Sequence, residues 1–351
     1  MKIASIGGSN SIINGSFIYT LKEVENISIN NKGIGGTNSL HGMINIIKYK
    51  LIEIYDCLFH SYFSNDNNHY ANGLFTNQNI ILIKKSLIMT ISMCLQYKTK
   101  LFILFYDKTK INDIKKSSTY NLYKSLIDEY NIPYIDAYDI LYTKYGNNWT
   151  QYYRDNLHLS TEGYFVISQE IKNILPRLPV LEYYGINKYI KPDNYYNCIM
   201  ISKYLKNIVN IKNSLINVDY FQVDNSIHFI FNKPCRILAI EYIADNYSGY
   251  ITIKTDENNI IQKNTQKKID ENLTYLCKTL CFYTNKFKLS CIYSIEMSSL
   301  PELNDISYDI DYSHCITKQD ITNNIVKENT NFKLVSLLIN NAAEILKIIT
   351  N

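Results

Sequence analysis

Apolar residues in the first half of the chain alternate between short apolar runs and longer segments of helical spacing. The short runs, each followed by a polar or glycine-containing loop, occupy residues 2–6, 25–30, 56–63, 100–106 and 132–135. Helical spacing follows in residues 79–97, 120–130 and 160–175. Short buried strands alternating with helices are typical of a parallel sheet that is covered by helices on both faces. The pattern therefore predicts an α/β domain.

The second half has a different pattern. From Asn217 onwards apolar and polar residues alternate between turns rich in Asn, Asp, Pro and Gly, which predicts strands of a β-rich, sandwich-like domain. Residues 332–349 return to helical spacing and predict a C-terminal helix. We expect a first domain at 1–180, a β-rich accessory domain at 181–317 and a helical segment at 318–351; a chain of 351 residues suits such a division.

Composition argues against a nucleic-acid partner. The net charge is +4, and arginine occurs only at Arg154, Arg177 and Arg236. The lysines are scattered and form no dominant basic stripe. Nucleic acid is therefore not an expected partner.

The absence of certain sequence patterns bears on the cellular location of the protein and on metal binding. No signal-peptide pattern follows Met1, and no uninterrupted apolar stretch has the length of a transmembrane segment. Eight cysteines in such a chain are typical of reduced thiols in the cytoplasm. Cys57 and Cys94 are expected to be buried packing residues, and Cys277 and Cys281, four apart, do not have a strong zinc spacing. We predict a cytoplasmic protein without metal or cofactor.

Ser9 is the first candidate for chemistry. It follows the first predicted strand in Ile6-Gly7-Gly8-Ser9-Asn10-Ser11, where glycines permit a tight turn and backbone N–H groups can face a reacting centre. Taken alone, Gly-Gly-Ser favours an ordinary turn over a nucleophile. Ser11 is an alternative nucleophile two residues further on.

A second motif precedes the last helix of the first domain. In Arg154-Asp155-Asn156-Leu157-His158, the Asp three residues before the His can orient the imidazole while the ring faces a serine. The motif continues to Gly163-Tyr164. With Ser9 it makes a serine–histidine–aspartate triad the leading hypothesis.

These motifs resemble the SGNH (GDSL-like) hydrolase family, whose last block is D-x-x-H followed by Gly-Tyr or a similar pair. The resemblance covers roughly residues 1–178 and implies a flavodoxin-like parallel sheet. It assigns Ser9 as nucleophile and Asp155 and His158 as its partners. For the oxyanion hole it implies the backbone of Ser9, Gly36 from the glycine block and Asn65 from the Asn-Asp block.

Two positions depart from the family pattern. Gly8 replaces the Asp of G-D-S, and Ser64 or its neighbour replaces the usual glycine of the third block. His41, His69, Tyr70 and Trp149 lie near the motifs as further candidates for substrate contact. Each is also compatible with an ordinary loop or core role.

The resemblance implies a serine esterase or O-acyltransferase that forms an acyl-serine. The motif variant and the β-rich domain favour a carbohydrate, such as a surface polysaccharide, as substrate, with an acyl donor in the transfer case. Two alternatives stay open: transfer of a phosphorus-containing group onto a glycan, and a catalytically silent glycan-binding protein.

Overall fold

The computed structural model describes residues 1–71, 77–106, 117–182, 196–212, 216–245, 248–255, 260–265, 276–281, 289–298, 307–308 and 331–351. The chain divides into two compact units, Met1–Ile190 and Lys191–Asn351. The first unit thus extends beyond the predicted boundary at residue 180, and the last segment of the chain belongs to the second unit.

The first unit contains a five-stranded parallel sheet in the order β2-β1-β3-β4-β5. Its strands are β1 (Lys2–Gly7), β2 (Ser28–Asn31), β3 (Cys57–Ser61), β4 (Lys100–Phe105) and β5 (Tyr134–Asp136). The helices are α1 (Phe17–Lys22), α2 (Ser39–Lys48), α3 (Leu51–Ile54), α4 (Phe63–Ala71), α5 (Asn77–Tyr97), α6 (Ser118–Tyr130), α7 (Ala137–Tyr145) and α8 (Thr161–Ile174). The predicted α/β architecture is confirmed.

Burial explains why the strand runs are almost wholly apolar. β3 and β4 lie inside the sheet, and every residue from Leu101 to Phe105 is buried. Strands covered on both faces require apolar side chains at successive positions. Phe17, Phe59 and Tyr164 join the same core, and Cys57 and Cys94 are buried as predicted.

Helix α5 passes the length and hydropathy test for a membrane span. Its window Ile80–Tyr97 has a mean hydropathy of 1.4, and 44% of that window is buried inside the structure. Ile83, Leu87 and Ile91 are among the buried side chains. The core helix of a soluble protein has the same properties, so this helix is weak evidence for a membrane span.

The second unit consists of two sheets. One has the order β13-β10-β16-β8-β7, with β6 also paired to β16, and the other has the order β15-β12-β11-β14-β9-β17. Their strands are β6 (Tyr196–Met200), β7 (Val209–Lys212), β8 (Asn217–Val223), β9 (Ser226–Cys235), β10 (Ile237–Ala244), β11 (Tyr250–Thr255), β12 (Ile260–Asn264), β13 (Leu276–Cys281), β14 (Ser290–Ser298), β15 (Ser307–Tyr308), β16 (Phe332–Asn340) and β17 (Ile345–Thr350). Side chains of both sheets, including Phe229, Tyr242 and Leu337, share one core. The β-rich, sandwich-like prediction is confirmed.

The predicted C-terminal helix is wrong. Residues 332–340 and 345–350 form strands β16 and β17, and β16 pairs with β10, β6 and β8. Its residues from Phe332 to Ile339 are all buried. Mostly apolar side chains therefore occupy both faces of this strand, and the spacing of Leu334, Leu337 and Leu338 within it also fits a helix. The part of the predicted segment at 318–330 lies outside the described residues.

Candidate active site

Ser9 stands on a tight turn at the carboxyl end of β1. The strand ends at Gly7, and Ser9–Ser11 form a 3₁₀ turn in which the N–H of Ser11 donates to the carbonyl of Gly8 at 3.1 Å. β1 lies between β2 and β3, so its end is flanked by the loops that follow both neighbours. This edge is where open parallel sheets place their ligands.

Close packing explains the two glycines before Ser9. A Cβ added to Gly7 would lie 1.9 Å from Ser61 Oγ, and a Cβ added to Gly8 would lie 2.0 Å from Asn65 Oδ1. Gly8 has φ −82°, which any residue can adopt. A side chain at this position would therefore require the Asn65 amide to move, and backbone strain does not call for glycine here.

The Asp–His loop, residues 154–158, is a short turn held at its base. Tyr153 and Leu159 form an antiparallel bridge, and the N–H of Arg154 donates to the carbonyl of His158 at 2.9 Å. The loop leads into α8, which Ser160 caps by accepting a hydrogen bond from the N–H of Gly163 at 3.1 Å. These contacts hold the two ends of the loop together.

The structure brings Ser9, His158 and Asp155 together in a chain of hydrogen bonds. Ser9 Oγ lies 2.6 Å from His158 Nε2, and His158 Nδ1 lies 2.8 Å from Asp155 Oδ2. Because the carboxylate accepts from Nδ1–H, Nε2 is left as the acceptor for the Ser9 hydroxyl. This is the arrangement in which an imidazole can take a proton from a serine.

Asp155 is suited to stay ionised. Partial burial raises the pKa of this carboxyl, but hydrogen bonds from the N–H groups of Leu157 and His158 and from the imidazole outweigh it, so that the pKa lies below its usual value. The Arg154 guanidinium also lies 3.5 Å from Oδ2. A charged Asp155 favours the Nδ1–H tautomer of the ring.

Ser11 occupies a different environment from Ser9. It has no exposed surface, and its Oγ lies 2.7 Å from Ser61 Oγ inside the protein. Ser9 is half-buried and is the serine in contact with His158. The geometry supports Ser9 over Ser11 as nucleophile.

The glycine block and Asn65 both reach the turn that carries Ser9. Ile34 donates its N–H to the carbonyl of Gly7 at 2.9 Å, and a Cβ added to Gly35 would lie 3.8 Å from Ser9 Cβ. Gly36, the predicted donor, follows with φ 66°, a left-handed conformation that glycine adopts without strain. The closeness of Gly35 to Ser9 is a feature that sequence reasoning missed.

Comparison with solved structures identifies the fold of this chain. No protein-family model and no curated protein matches the sequence. A solved two-domain esterase (CEX) active on acetylated mannans, co-crystallised with mannopentaose, matches 98% of this chain and 92% of its own with a TM-score of 0.60 and 14% identity. A second structure of such an esterase matches the same shares with a TM-score of 0.52 and 12% identity. The chain has the fold of a two-domain SGNH hydrolase.

A further solved structure matches about half of this chain. A member of the lipolytic G-D-S-L family from Veillonella parvula matches 51% of this chain and 100% of its own, with 19% identity and a TM-score of 0.40.

Asp66 is a buried carboxyl of this SGNH fold that sequence reasoning did not single out. It accepts hydrogen bonds from the N–H of Ser39 at 3.1 Å and from Tyr123 Oη at 2.8 Å. Burial raises its pKa to about 6, although those hydrogen bonds act in the opposite direction. Through the hydrogen bond with Ser39, Asp66 connects two helices. One is α4, which carries Asn65, and the other is α2, which begins just after the glycine block.

His41 and Trp149, two further candidates for substrate contact, lie in different surroundings. His41 lies in α2 with no exposed surface, a position that favours a core role over direct contact with substrate. Trp149 packs edge-on against Tyr138 and Tyr153, with ring centroids 4.9 and 5.7 Å apart. It also contacts the core of the first unit, as expected for an anchoring residue.

The remaining two candidates, His69 and Tyr70, belong to α4, but their side chains lie outside the described residues. Within the described part of the chain no group of three His, Cys, Asp or Glu side chains is arranged to hold a metal ion.

Proposed function

We propose that this chain is a serine esterase that removes acyl groups, chiefly acetyl, from carbohydrate esters. The observation that carries the proposal is the 2.6 Å contact between Ser9 Oγ and His158 Nε2, with Asp155 on the opposite ring nitrogen. Such a chain of contacts activates a hydroxyl that is otherwise a weak nucleophile.

The reaction has two steps. His158 Nε2 takes the proton of Ser9 as Oγ bonds to the acyl carbon, and the protonated ring then gives that proton to the leaving sugar oxygen. The products of this step are an acyl-serine and the free sugar hydroxyl. In the second step water loses a proton to His158 as its oxygen bonds to the acyl carbon. The bond from that carbon to Oγ then breaks, His158 returns the proton to Oγ, and the carboxylic acid leaves.

The negative charge on the carbonyl oxygen needs hydrogen-bond donors during both steps. We assign this role to the N–H groups of Ser9 and Gly36 and to the side-chain amide of Asn65. The contact of the Asn65 amide with Gly8 supports its place beside the nucleophile. Gly35 belongs to the same glycine block, and a Cβ added to it would lie 3.8 Å from Ser9 Cβ, which makes it a second candidate for a backbone donor.

A carbohydrate substrate is supported by the two-domain likeness. The similar two-domain esterase acts on acetylated mannans, and the alignment covers 98% of this chain, including its β-rich unit. Hydrolysis is preferred over transfer because that solved structure is an esterase. A sugar hydroxyl in place of water would give transfer by the same residues.

The test is turnover of p-nitrophenyl acetate and of acetylated manno-oligosaccharides by wild type, Ser9→Ala and Ser11→Ala. We expect Ser9→Ala to lose about 10⁴-fold or more in kcat. Ser11→Ala, the matched control, should retain activity within about tenfold because its hydroxyl bonds only inside the protein. Activity that survives in Ser9→Ala, or a wild type without turnover on any ester, would refute the proposal.

The same assay identifies whether water or a sugar hydroxyl accepts the acetyl group. Adding unacetylated manno-oligosaccharide and following the acetyl group by mass spectrometry separates free acetate from acetylated glycan. Acetate as the main product supports the esterase; acetyl groups found on the added glycan would assign the chain as a transferase instead.

A further inference from the structure

Asn10, the residue after Ser9, is a buried polar residue with two hydrogen bonds to distant parts of the first unit. It is 3% exposed. Its Nδ2 donates to the carbonyl of Leu157 at 2.9 Å, and its Oδ1 accepts from Tyr164 Oη at 2.5 Å. Because a carbonyl oxygen cannot donate, the amide nitrogen must face Leu157, and the two partners fix the orientation of the amide.

The Leu157 contact reaches the middle of the Asp–His loop. The N–H of Leu157 donates to Asp155 Oδ1 at 2.8 Å, and its carbonyl belongs to the peptide unit that carries the N–H of His158. That N–H donates to Asp155 Oδ1 at 2.9 Å. Asn10, the neighbour of Ser9, therefore holds the peptide unit between Leu157 and His158. The orientation of that peptide unit determines where the His158 side chain lies.

The Tyr164 contact anchors Asn10 in the core. Tyr164 lies in the first turn of α8 with no exposed surface, and its ring packs edge-on against Tyr106 with the centroids 6.1 Å apart. Burial raises the pKa of Tyr164, so the hydroxyl keeps its proton and donates to Asn10. The amide thus has a rigid support on one side and the loop on the other.

The loop needs such a support because its outer residues are exposed. Arg154, Asp155 and Asn156 are all exposed, and exposed loops are ordinarily the more mobile parts of a fold. A displacement of about 1 Å between reacting groups can cost roughly 100-fold in rate. We infer that Asn10 is a positioning residue that holds the Asp–His loop in register with Ser9. Its meaning for catalysis rests on the proposed function.

The test uses three variants and one control. Asn10→Leu removes both contacts at nearly constant size, Asn10→Asp replaces the donor to Leu157 by an acceptor, and Tyr164→Phe removes only the support. The control is Asn156→Ala, an exposed asparagine of the same loop. We expect both Asn10 variants to lose about 10- to 100-fold in kcat with KM within about twofold. Tyr164→Phe should lose less, and Asn156→Ala should stay within about twofold of wild type.

A second readout does not depend on turnover. The proton between His158 Nδ1 and Asp155 gives a downfield resonance that isotope-labelled histidine makes visible by NMR. We expect it to broaden or shift in Asn10→Leu and to persist in Asn156→Ala. An unchanged resonance in Asn10→Leu would overturn the inference whatever the rate.

The two proposals fail in different ways. If wild type neither turns over esters nor labels at Ser9 with a fluorophosphonate, the proposed function fails, and the NMR comparison still tests the positioning. If wild type is active and Asn10→Leu keeps its kcat, the positioning fails alone. Thermal unfolding accompanies each variant; if Asn10→Leu does not fold, Tyr164→Phe, which keeps the ring, decides by the same two readouts.

Discussion

The two halves of the candidate site are built differently. The serine half, meaning the Ser9 turn, the glycine block and the Asn65 helix, is packed so closely that a Cβ at Gly7 or Gly8 would force the neighbouring Ser61 or Asn65 side chain to move. The Asp–His half is a surface loop in which the Asp155 side chain is 45% exposed. A buried half tolerates few substitutions without loss of fold, whereas an exposed half depends on a small number of hydrogen bonds for its geometry. The two halves should therefore respond differently to mutation.

The largest effect is expected in the exposed half. Asp155→Asn should lower kcat on p-nitrophenyl acetate by about 10⁴-fold, because the amide no longer favours the Nδ1–H tautomer of His158. The free energy of unfolding should change by only about 1 kcal/mol, since the side chain is largely solvated. Asp128→Asn, on the exposed face of α6, is the control. Stopped assays and chemical denaturation give both quantities; a kcat within tenfold of wild type would contradict the role of Asp155.

An intermediate effect is expected in the buried half. Gly8→Ala places a methyl group against the Asn65 amide and should lower kcat by about 10²- to 10³-fold, as for loss of an oxyanion donor.

A double-mutant cycle isolates the cause of that loss. Asn65→Ala removes the amide, and in Gly8→Ala/Asn65→Ala the collision is gone, so the double variant should be no slower than Asn65→Ala alone. If the two losses simply multiplied, Gly8 would act on something other than Asn65.

A smaller effect concerns the pH dependence of stability. The pKa of Asp66 is raised to about 6 in the fold and is near 4 in an unfolded chain. The folded state then binds the proton more tightly, so the contribution of Asp66 is full below pH 4 and is lost as pH rises through 6. Compared with Asp66→Asn, wild type should lose about 1–2 kcal/mol of unfolding free energy between pH 5 and 7.5. Urea denaturation at both pH values measures this; a difference that is constant with pH would contradict it.

The smallest effect should come from Arg154. Its guanidinium lies 3.5 Å from Asp155, but the two side chains are 55% and 45% exposed. Exposed ion pairs contribute at most about 1 kcal/mol. Arg154→Gln should thus change kcat less than threefold, and a large loss would indicate contact with substrate.

The sequence predicts the local parts of this site best. Asp155 and His158 lie three residues apart on one loop, and Ser9 directly follows a strand, so short-range spacing suffices to find them. The reason for Gly8 is a contact with Asn65 on a different element, which no local pattern reveals. Asn10 and Asp66 were missed for the same reason, because their partners Tyr164 and Ser39 are distant in the chain.

The fold likewise has elements that local sequence predicts and elements that only contacts between distant residues determine. The parallel sheet was predictable because strands and helices alternate with distinct apolar periods. In β16 the apolar run fits helix and strand equally, and only pairing with β10 and β6 decides between them. Tertiary contact, not local preference, sets this element.

The position of β16 has a consequence for biosynthesis. The strand runs through the middle of its sheet between β10 and β8, yet it is made after every other strand of that sheet. The nascent second unit therefore cannot close this sheet until residue 340 has been synthesised, whereas the strands and α-helices that the structure describes in the first unit are complete by Ile174. Domains that fold as units during synthesis do so in the order in which their elements become available. The first unit can accordingly fold while the second unit still lacks the central strand of one of its sheets.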